Sequence, residues 1–225
     1  DPQQTGRAPR EPQGRAGGTD RTVRAVRSFV DQAREILAED APANMVLLRG
    51  FAARPDWPSF EERFGLRGAA AAGYPMYKGL ARLLGMEILP QADGIRERIP
   101  LVRERFDDFA FFFLHVKPTD SRGEDGDFEA KVRAIEHVDA ALPGIEDLEP
   151  AVLVVTGDHS TPSLLKAHSW HPVPALLASR SCRPDGVTRF GERACLAGGL
   201  GPRFPAVDLL PLALAHAKRL KKFGA

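Results

Sequence analysis

The chain has 225 residues, and its 31 Lys and Arg against 30 Asp and Glu leave a formal charge of +1. That balance excludes binding driven mainly by bulk charge, whether to nucleic acid or to an anionic membrane. Hydrophobic residues at 43% beside 27% charged describe an ordinary globular chain, and two cysteines, Cys182 and Cys195, fit a reducing cytoplasm rather than a disulfide framework.

Asp1 to Thr22 holds no aliphatic residue larger than Ala and no aromatic, and Pro and Gly punctuate it. Such a stretch buries too little apolar surface to offset backbone ordering, so residues 1–22 read as a flexible loop or tail. Val23, Val26, Val30, Ala33 and Leu37, with Phe29 and Ile36, recur at intervals of three and four and predict a helix ending before Pro42. Asp20 or Thr22 is placed to cap it. Met45 to Leu48 reads as a buried strand stopping at Arg49-Gly50. A second strand is expected over Leu66 to Ala72, then a helix from about Met76 to Leu84 ending near Gly85.

Phe109 to Val116 is apolar apart from His115 and suits a strand buried on both faces, as parallel sheets require. It opens into a polar loop, Lys117 to Asp127. A helix carrying Val132, Ile135, Val138 and Leu142 follows, closed by Pro143-Gly144. Ala151 to Val155 is another two-faced strand ending in the polar loop Thr156 to Pro162, with a further strand at Pro174 to Ser179. A last helix, Leu209 to Phe223, has Lys218, Arg219, Lys221 and Lys222 in its final turns, where bases suit the negative end of the dipole. The alternation points to an α/β fold with a mostly parallel sheet and flanking helices. Ligands of such sheets sit outside the carboxyl ends of the strands, where both polar loops lie.

Those loops concentrate acids and imidazoles: Asp120, Glu124, Asp125 and Asp127 after the first strand, Asp158 and His159 after the second, with His168 and His171 about ten residues on. Crowded carboxylates and imidazoles repel or stay undersatisfied without a cation, so a bound metal is the economical explanation. Taken singly, Asp120 or Asp158 is more often a cap or turn residue, and a lone histidine is more often solvated or packed. Their joint occurrence at two strand ends raises the metal reading. A turn at Gly157 lets Asp158 and His159 both reach metal. His115 reads as a packing residue, and His137 and His216 as helix residues without a chemical role.

The run Thr156-Gly157-Asp158-His159-Ser160-Thr161-Pro162, followed by His168-Ser169-Trp170-His171-Pro172-Val173-Pro174, resembles the cofactor-independent phosphoglycerate mutases, most closely their archaeal-type branch within the alkaline phosphatase superfamily. His115-Val116-Lys117 with Asp120, Gly123 to Lys131, Tyr74 to Gly79 and the ending Lys221 to Ala225 are similar as well. The resemblance implies interconversion of 2-phosphoglycerate and 3-phosphoglycerate through a phosphoserine intermediate at two divalent metals, usually Mn2+ with Mg2+ as the alternative, and without 2,3-bisphosphoglycerate. Asp120, Glu124 and His168 would hold one metal; Asp158 and His159 would help hold the other. Arg49 and Lys78 are candidates for gripping the phosphate or carboxylate, a surface role for each being the alternative. Glu124 stands where many relatives carry His. Either an all-oxygen replacement moves the site toward harder ions, or Asp125 or water ligates instead.

In the family the nucleophilic serine and a further aspartate ligand come from an N-terminal segment before an inserted substrate domain. The chain, which does not begin with Met, therefore reads as a C-terminal portion: residues 23–64 as the end of the inserted α/β substrate domain, and 65–225 as the C-terminal half of the metal-binding phosphotransferase domain. Ser160 is given no covalent role. The expected partners are a small phosphoglycerate and the N-terminal half of the same enzyme, with no nucleic acid and no membrane, in the cytoplasm. The portion alone is expected to be inactive. Two alternatives remain open: a metal-dependent phosphatase or other phosphotransferase of the same superfamily, and an inert metal-binding fragment.

Overall fold

A computed structural model describes residues 6–14 and 20–220. The chain divides into two compact units, Asp1–Asp56 and Trp57–Ala225. The rest of the tail expectation, residues 1–5 and 15–19, lies outside the described residues.

In the first unit, α1 (Asp20–Ile36) buries Val30 and leaves Phe29 and Ile36 largely in solvent. The helical face is thus narrower than the apolar spacing implies. Residues 6–14 run without regular structure, and Arg27 Nε donates to Pro12 O at 3.1 Å. The strand expected at Met45 to Leu48 does not form: the segment is irregular, with Leu47 52% and Leu48 41% exposed. An extended run needs a hydrogen-bonding neighbour, and none stands beside it among the described residues.

The second unit opens with α2 (Phe60–Phe64), closed at its start by a reciprocal Ser59–Glu62 capping box and at its end by Gly65 in the left-handed region. There follow β1 (Gly68–Ala71), α3 (Pro75–Leu83), β2 (Glu87–Ile88), α4 (Ile95–Glu104) and β3 (Phe111–Leu114). The three strands form a parallel sheet in the order β2-β1-β3, with Gly68 to Ala71 in register with Phe111 to Leu114. Small side chains make β1 the centre. Ala70 faces a cluster with Phe60, Leu66, Ala81, Met86 and Leu214, while Ala69 and Ala71 face Leu89, Val102 and Phe109 on the other side. A side chain every second residue on each face is what a strand dictates, and alanine lets the covering helices approach closely.

Beyond β3 the chain departs from expectation. The segment expected as a polar loop after Lys117 is mostly helix, α5 (Pro118–Asp125), with Pro118 in its first turn and Gly126 at φ +76 ending it. Proline at the start and glycine past the end are helix punctuation, and they outweigh the polarity between them. Next come α6 (Phe128–Asp139) and α7 (Leu142–Glu146); Pro143 lies in the first turn of α7 rather than closing the preceding helix. β4 (Val152–Thr156) and β5 (Ala175–Ser179) pair antiparallel, outside the parallel set. Neither β3 nor β4 is buried on both faces as expected. Each pairs on one side only among the described residues, so Phe111 to Leu114 and Val152 to Val155 stay half-buried.

After α8 (Glu192–Cys195) comes α9 (Leu209–His216), shorter than the helix expected to Phe223. Lys218 takes φ +58, its N–H bonds Ala215 O, and that of Arg219 bonds Leu214 O at 2.9 Å, a left-handed closure that ends the helix before the basic residues. Lys218 and Arg219 therefore lie past the last turn; Lys221 and Lys222 are outside the described residues. No helix among the described residues is long and apolar enough to cross a membrane.

Candidate metal centre

Two strand ends deliver the centre. The chain leaves β3 through His115 and Lys117 and enters α5, where Asp120 and Glu124, four residues apart, share one face. Beyond β4, Gly157 precedes Asp158 and His159. A lone antiparallel bridge between Ser160 and Ser169 then draws the returning chain alongside, with Ser169 N donating to Ser160 O at 2.9 Å. That bridge brings His168 against His159, ring centroids 3.7 Å apart.

One ligand atom each from Asp120, His159 and His168 lie within 4.8 Å of one another. Asp120 Oδ1 is 3.5 Å from His168 Nε2 and 3.8 Å from His159 Nδ1. Glu124 Oε1 approaches the same His168 nitrogen at 3.5 Å, and Asp158 Oδ2 lies 3.6 Å from His159 Nε2. All five residues singled out as ligands thus meet in one cluster. Lys78 does not join it: on α3, its ammonium bonds Gln91 Oε1. Arg49 belongs to the first unit, exposed in an irregular segment.

Side chains without a predicted role hold the cluster. Tyr77, on α3, donates to Asp158 Oδ2 at 2.6 Å. That bond, together with burial and the Asp158 charge, pushes the Tyr77 hydroxyl up to about 12. Burial works against ionisation of Asp158, but the Tyr77 hydroxyl and the neighbouring His159 outweigh it and hold the carboxyl below its ordinary value. Asp120, only 14% exposed at its side chain, is likewise disfavoured by burial, yet hydrogen bonds from Lys117 and from Thr161 Oγ1, the latter at 2.5 Å, keep its carboxyl low. Thr161 also contacts His159 Nδ1 at 3.1 Å. Lys117 bonds Asp120, stands 4.0 Å from Glu124 and lies over the Tyr74 ring; the Asp120 bond raises its pKa.

His115 packs as expected, its ring 3.9 Å from that of Tyr77 and its pKa pushed down by burial. Its Nδ1 is buried without a hydrogen-bond partner. Lys117 and Thr161 stand inside the motifs that mark the site. Tyr77 also lies in a motif segment, Tyr74 to Gly79, but its bond to Asp158 spans 81 residues and no local pattern announces it.

Three carboxylates face two imidazoles, and a lysine ammonium already occupies part of the cationic position between Asp120 and Glu124. This oxygen-and-nitrogen donor set fits a hard or borderline divalent ion. The model of the metalloenzyme superfamily matches residues 3–209.

The chain belongs to the metalloenzyme superfamily.

Among its relatives, the chain is 49% identical over its whole length to a probable 2,3-bisphosphoglycerate-independent phosphoglycerate mutase of Aquifex aeolicus, of which it spans 55%. It is 46% identical to the like-named Thermus thermophilus protein, spanning 56% of it. The chain therefore spans about half the length of the curated relatives it matches. Of solved structures, a Pyrococcus horikoshii protein aligns at TM-score 0.80 and 33% identity, covering 92% of this chain and 60% of its own. A cofactor-independent phosphoglycerate mutase of Thermoplasma acidophilum aligns at TM-score 0.63 and 25% identity, covering 96% and 58%. These neighbours agree with the α/β fold read from the strand and helix pattern.

Proposed function

We propose that this chain is the metal-binding C-terminal part of a 2,3-bisphosphoglycerate-independent phosphoglycerate mutase, interconverting 2-phosphoglycerate and 3-phosphoglycerate in the cytoplasm. The observation that carries the reading is the convergence of Asp120, His159 and His168, with Asp158 and Glu124 at its rim. Relatives and a structural neighbour bearing the mutase name support it.

In this reading Asp120, Glu124 and His168 hold one divalent ion, and Asp158 and His159 help hold a second, with Mn2+ the preferred metal and Mg2+ tolerated. Bound there, the ions neutralise charge on a phosphoryl group and favour ionisation of an attacking hydroxyl. The attacking serine, which becomes the phosphoserine, comes from the N-terminal half of the enzyme. Ser160 does not serve, since its hydroxyl donates to His171 O at 3.2 Å within the loop that builds the site. Tyr77 orients the Asp158 carboxylate. With metal held at Asp120, Lys117 would be available to bind phosphoryl oxygens, and Lys78 and Arg49 would grip the substrate anions. Residues 23–64 form the end of an inserted substrate domain and 65–225 the second half of the metal-binding domain.

The test is full-length protein loaded with Mn2+ and given 3-phosphoglycerate without 2,3-bisphosphoglycerate. Formation of 2-phosphoglycerate is expected. Release of inorganic phosphate in excess of isomerised product would assign a phosphatase instead, and no turnover by folded, loaded enzyme would remove both.

A further inference from the structure

Beside the metal cluster lies a cavity of about 870 Å³, walled by the ends of β1 and β3, the start of α4 and one face of α6. Its lining places Arg98, Lys117, Arg122 and Arg133 against only Asp93 and Asp127 among acids. Two of these charges are spoken for: Arg122 pairs with Asp125 at 3.0 Å, and Asp127 Oδ1 accepts the Ala130 N–H at the start of α6. Lys117 is held by Asp120. Arg133 makes no ion pair among the described residues, and His137 stands one helical turn along the same face.

Arg98 is the decisive group. It is 7% exposed, yet no carboxylate lies within ion-pair distance of it among the described residues. Its Nε and Nη2 donate to Ala92 O at 3.2 and 3.0 Å, and its Nη1 to His115 O at 2.6 Å. Those neutral carbonyls fix the guanidinium but leave two of its five N–H groups without a partner and its charge without a direct ion pair among the described residues. Gly73 permits the placement, since a Cβ there would stand 2.8 Å from Arg98 Nη2. A buried charge without a counter-charge is costly and is retained when something of opposite sign completes it. Asp93 and Glu97 help sustain the protonated guanidinium against the effect of burial, without pairing to it.

We propose that this cavity is a subsite for a small oxyanion, a phosphate or a carboxylate, held by Arg98 from the wall of α4 and by Arg133 from the face of α6. The chemistry is that of a guanidinium fork on an oxyanion. None of the five candidate metal ligands lines the cavity; the phosphate arm of the test stands without the mutase reading, and the glycerate arm rests on it.

The experiment is calorimetric titration of the protein in excess chelator, which silences the metal cluster, with inorganic phosphate in one arm and glycerate in the other. Saturable binding of either is expected, about tenfold weaker in Arg133→Gln, as loss of one charge-assisted bond implies. A phosphate preference assigns the site to a phosphoryl group or free phosphate, and a glycerate preference to a substrate carboxylate. Arg133 is exposed, so its variant should fold; Arg98→Lys, which keeps the charge but loses the fork, should weaken the same ligand. Absence of binding in both arms, or equal binding by Arg133→Gln, overturns the proposal.

Discussion

The Tyr77 hydroxyl meets Asp158 Oδ2 at 2.6 Å, joining α3 to the loop after β4 across 81 residues of sequence. The Tyr77 ring also packs against that of His115, centroids 3.9 Å apart and planes tilted by 33°, so the strand end of β3 and the loop of β4 are tied through one ring. Groups that orient a ligating carboxylate matter nearly as much as the ligand, typically 10–100-fold in metal affinity. Tyr77→Phe keeps the ring and removes the bond. Titration with Mn2+ should show affinity falling about tenfold, with the melting temperature of the metal-free protein changed far less.

The same bond has a pH signature. The folded-state pKa of Tyr77 is raised from 10.0 to about 12, so the folded protein holds this proton more tightly than the unfolded chain. The associated stability is fully present below pH 10 and is lost as pH rises toward 12. The chain has two tyrosines, Tyr74 and Tyr77, which makes the assignment simple. Alkaline titration of phenolate absorbance in chelator should show a component near 12 that is missing from Tyr77→Phe.

Metal should stabilise the fold through the cluster. A ligand at one hundred times its Kd adds about 2.7 kcal/mol to a folded state that alone binds it. Mn2+ should therefore raise the melting temperature of the wild type and leave Asp120→Asn nearly unmoved. Asp120 is chosen because it contacts both imidazoles, Lys117 and Thr161, so its charge organises the centre. Equal stabilisation of wild type and variant would place the metal elsewhere.

Much of this centre is legible in the linear sequence because Asp158 and His159 directly follow β4 and Asp120 lies in the helix that follows β3, and these strand ends are marked by apolar runs such as Phe111 to Leu114 and Val152 to Val155. The fold is legible in the strand β1 and in most of α6, although Leu142 of the expected helical face falls in α7. It fails where a decisive partner is remote or absent. Met45 to Leu48 is apolar enough for a strand but has no ladder among the described residues, and β5 reads as a strand without revealing its antiparallel pairing. The α5 segment misleads through composition: its charges suggest a loop, while Pro118 and Gly126 determine a helix. The bonding roles of Tyr77 and Arg98 escape the sequence for a different reason, although Tyr77 lies in the flagged segment Tyr74 to Gly79. Their roles come from tertiary approach, and nothing adjacent to them changes period or composition.

Away from the centre, Asp185 organises the loop after β5. Its carboxylate accepts the Gly199 N–H at 2.6 Å and the Val187 N–H at 2.9 Å, and these bonds, that from Gly199 foremost, hold its pKa below the ordinary value. A depressed carboxyl contributes above the unfolded pKa, and its contribution is lost as pH falls through the folded one. Amide exchange at Gly199, corrected for intrinsic rates, should accelerate only once pH falls below the ordinary aspartate range, and in Asp185→Asn it should be fast without that step.

Gly123 sets how closely α5 approaches the loop after β4. A Cβ on Gly123 would overlap Thr161 O and come within 3.0 Å of Thr161 Cγ2 and 3.1 Å of Lys131 Nζ. The carbonyl cannot easily yield, because Lys131 Nζ donates to it at 2.6 Å, and Thr161 Oγ1 is engaged with Asp120. Two effects oppose each other in Gly123→Ala. Helix propensity favours alanine by roughly 0.5–1 kcal/mol, whereas overpacking costs typically about 1–3 kcal/mol. Since the clash is with bonded backbone rather than a flexible side-chain tip, overpacking should prevail. Urea denaturation should show a net loss of about 1–2 kcal/mol. The strain falls between Asp120 and His159, so Mn2+ affinity should drop with it. A variant as stable as the wild type would mean that α5 can withdraw from Thr161 at little cost, and the spacing of Asp120 from the two imidazoles would then not be fixed by this contact.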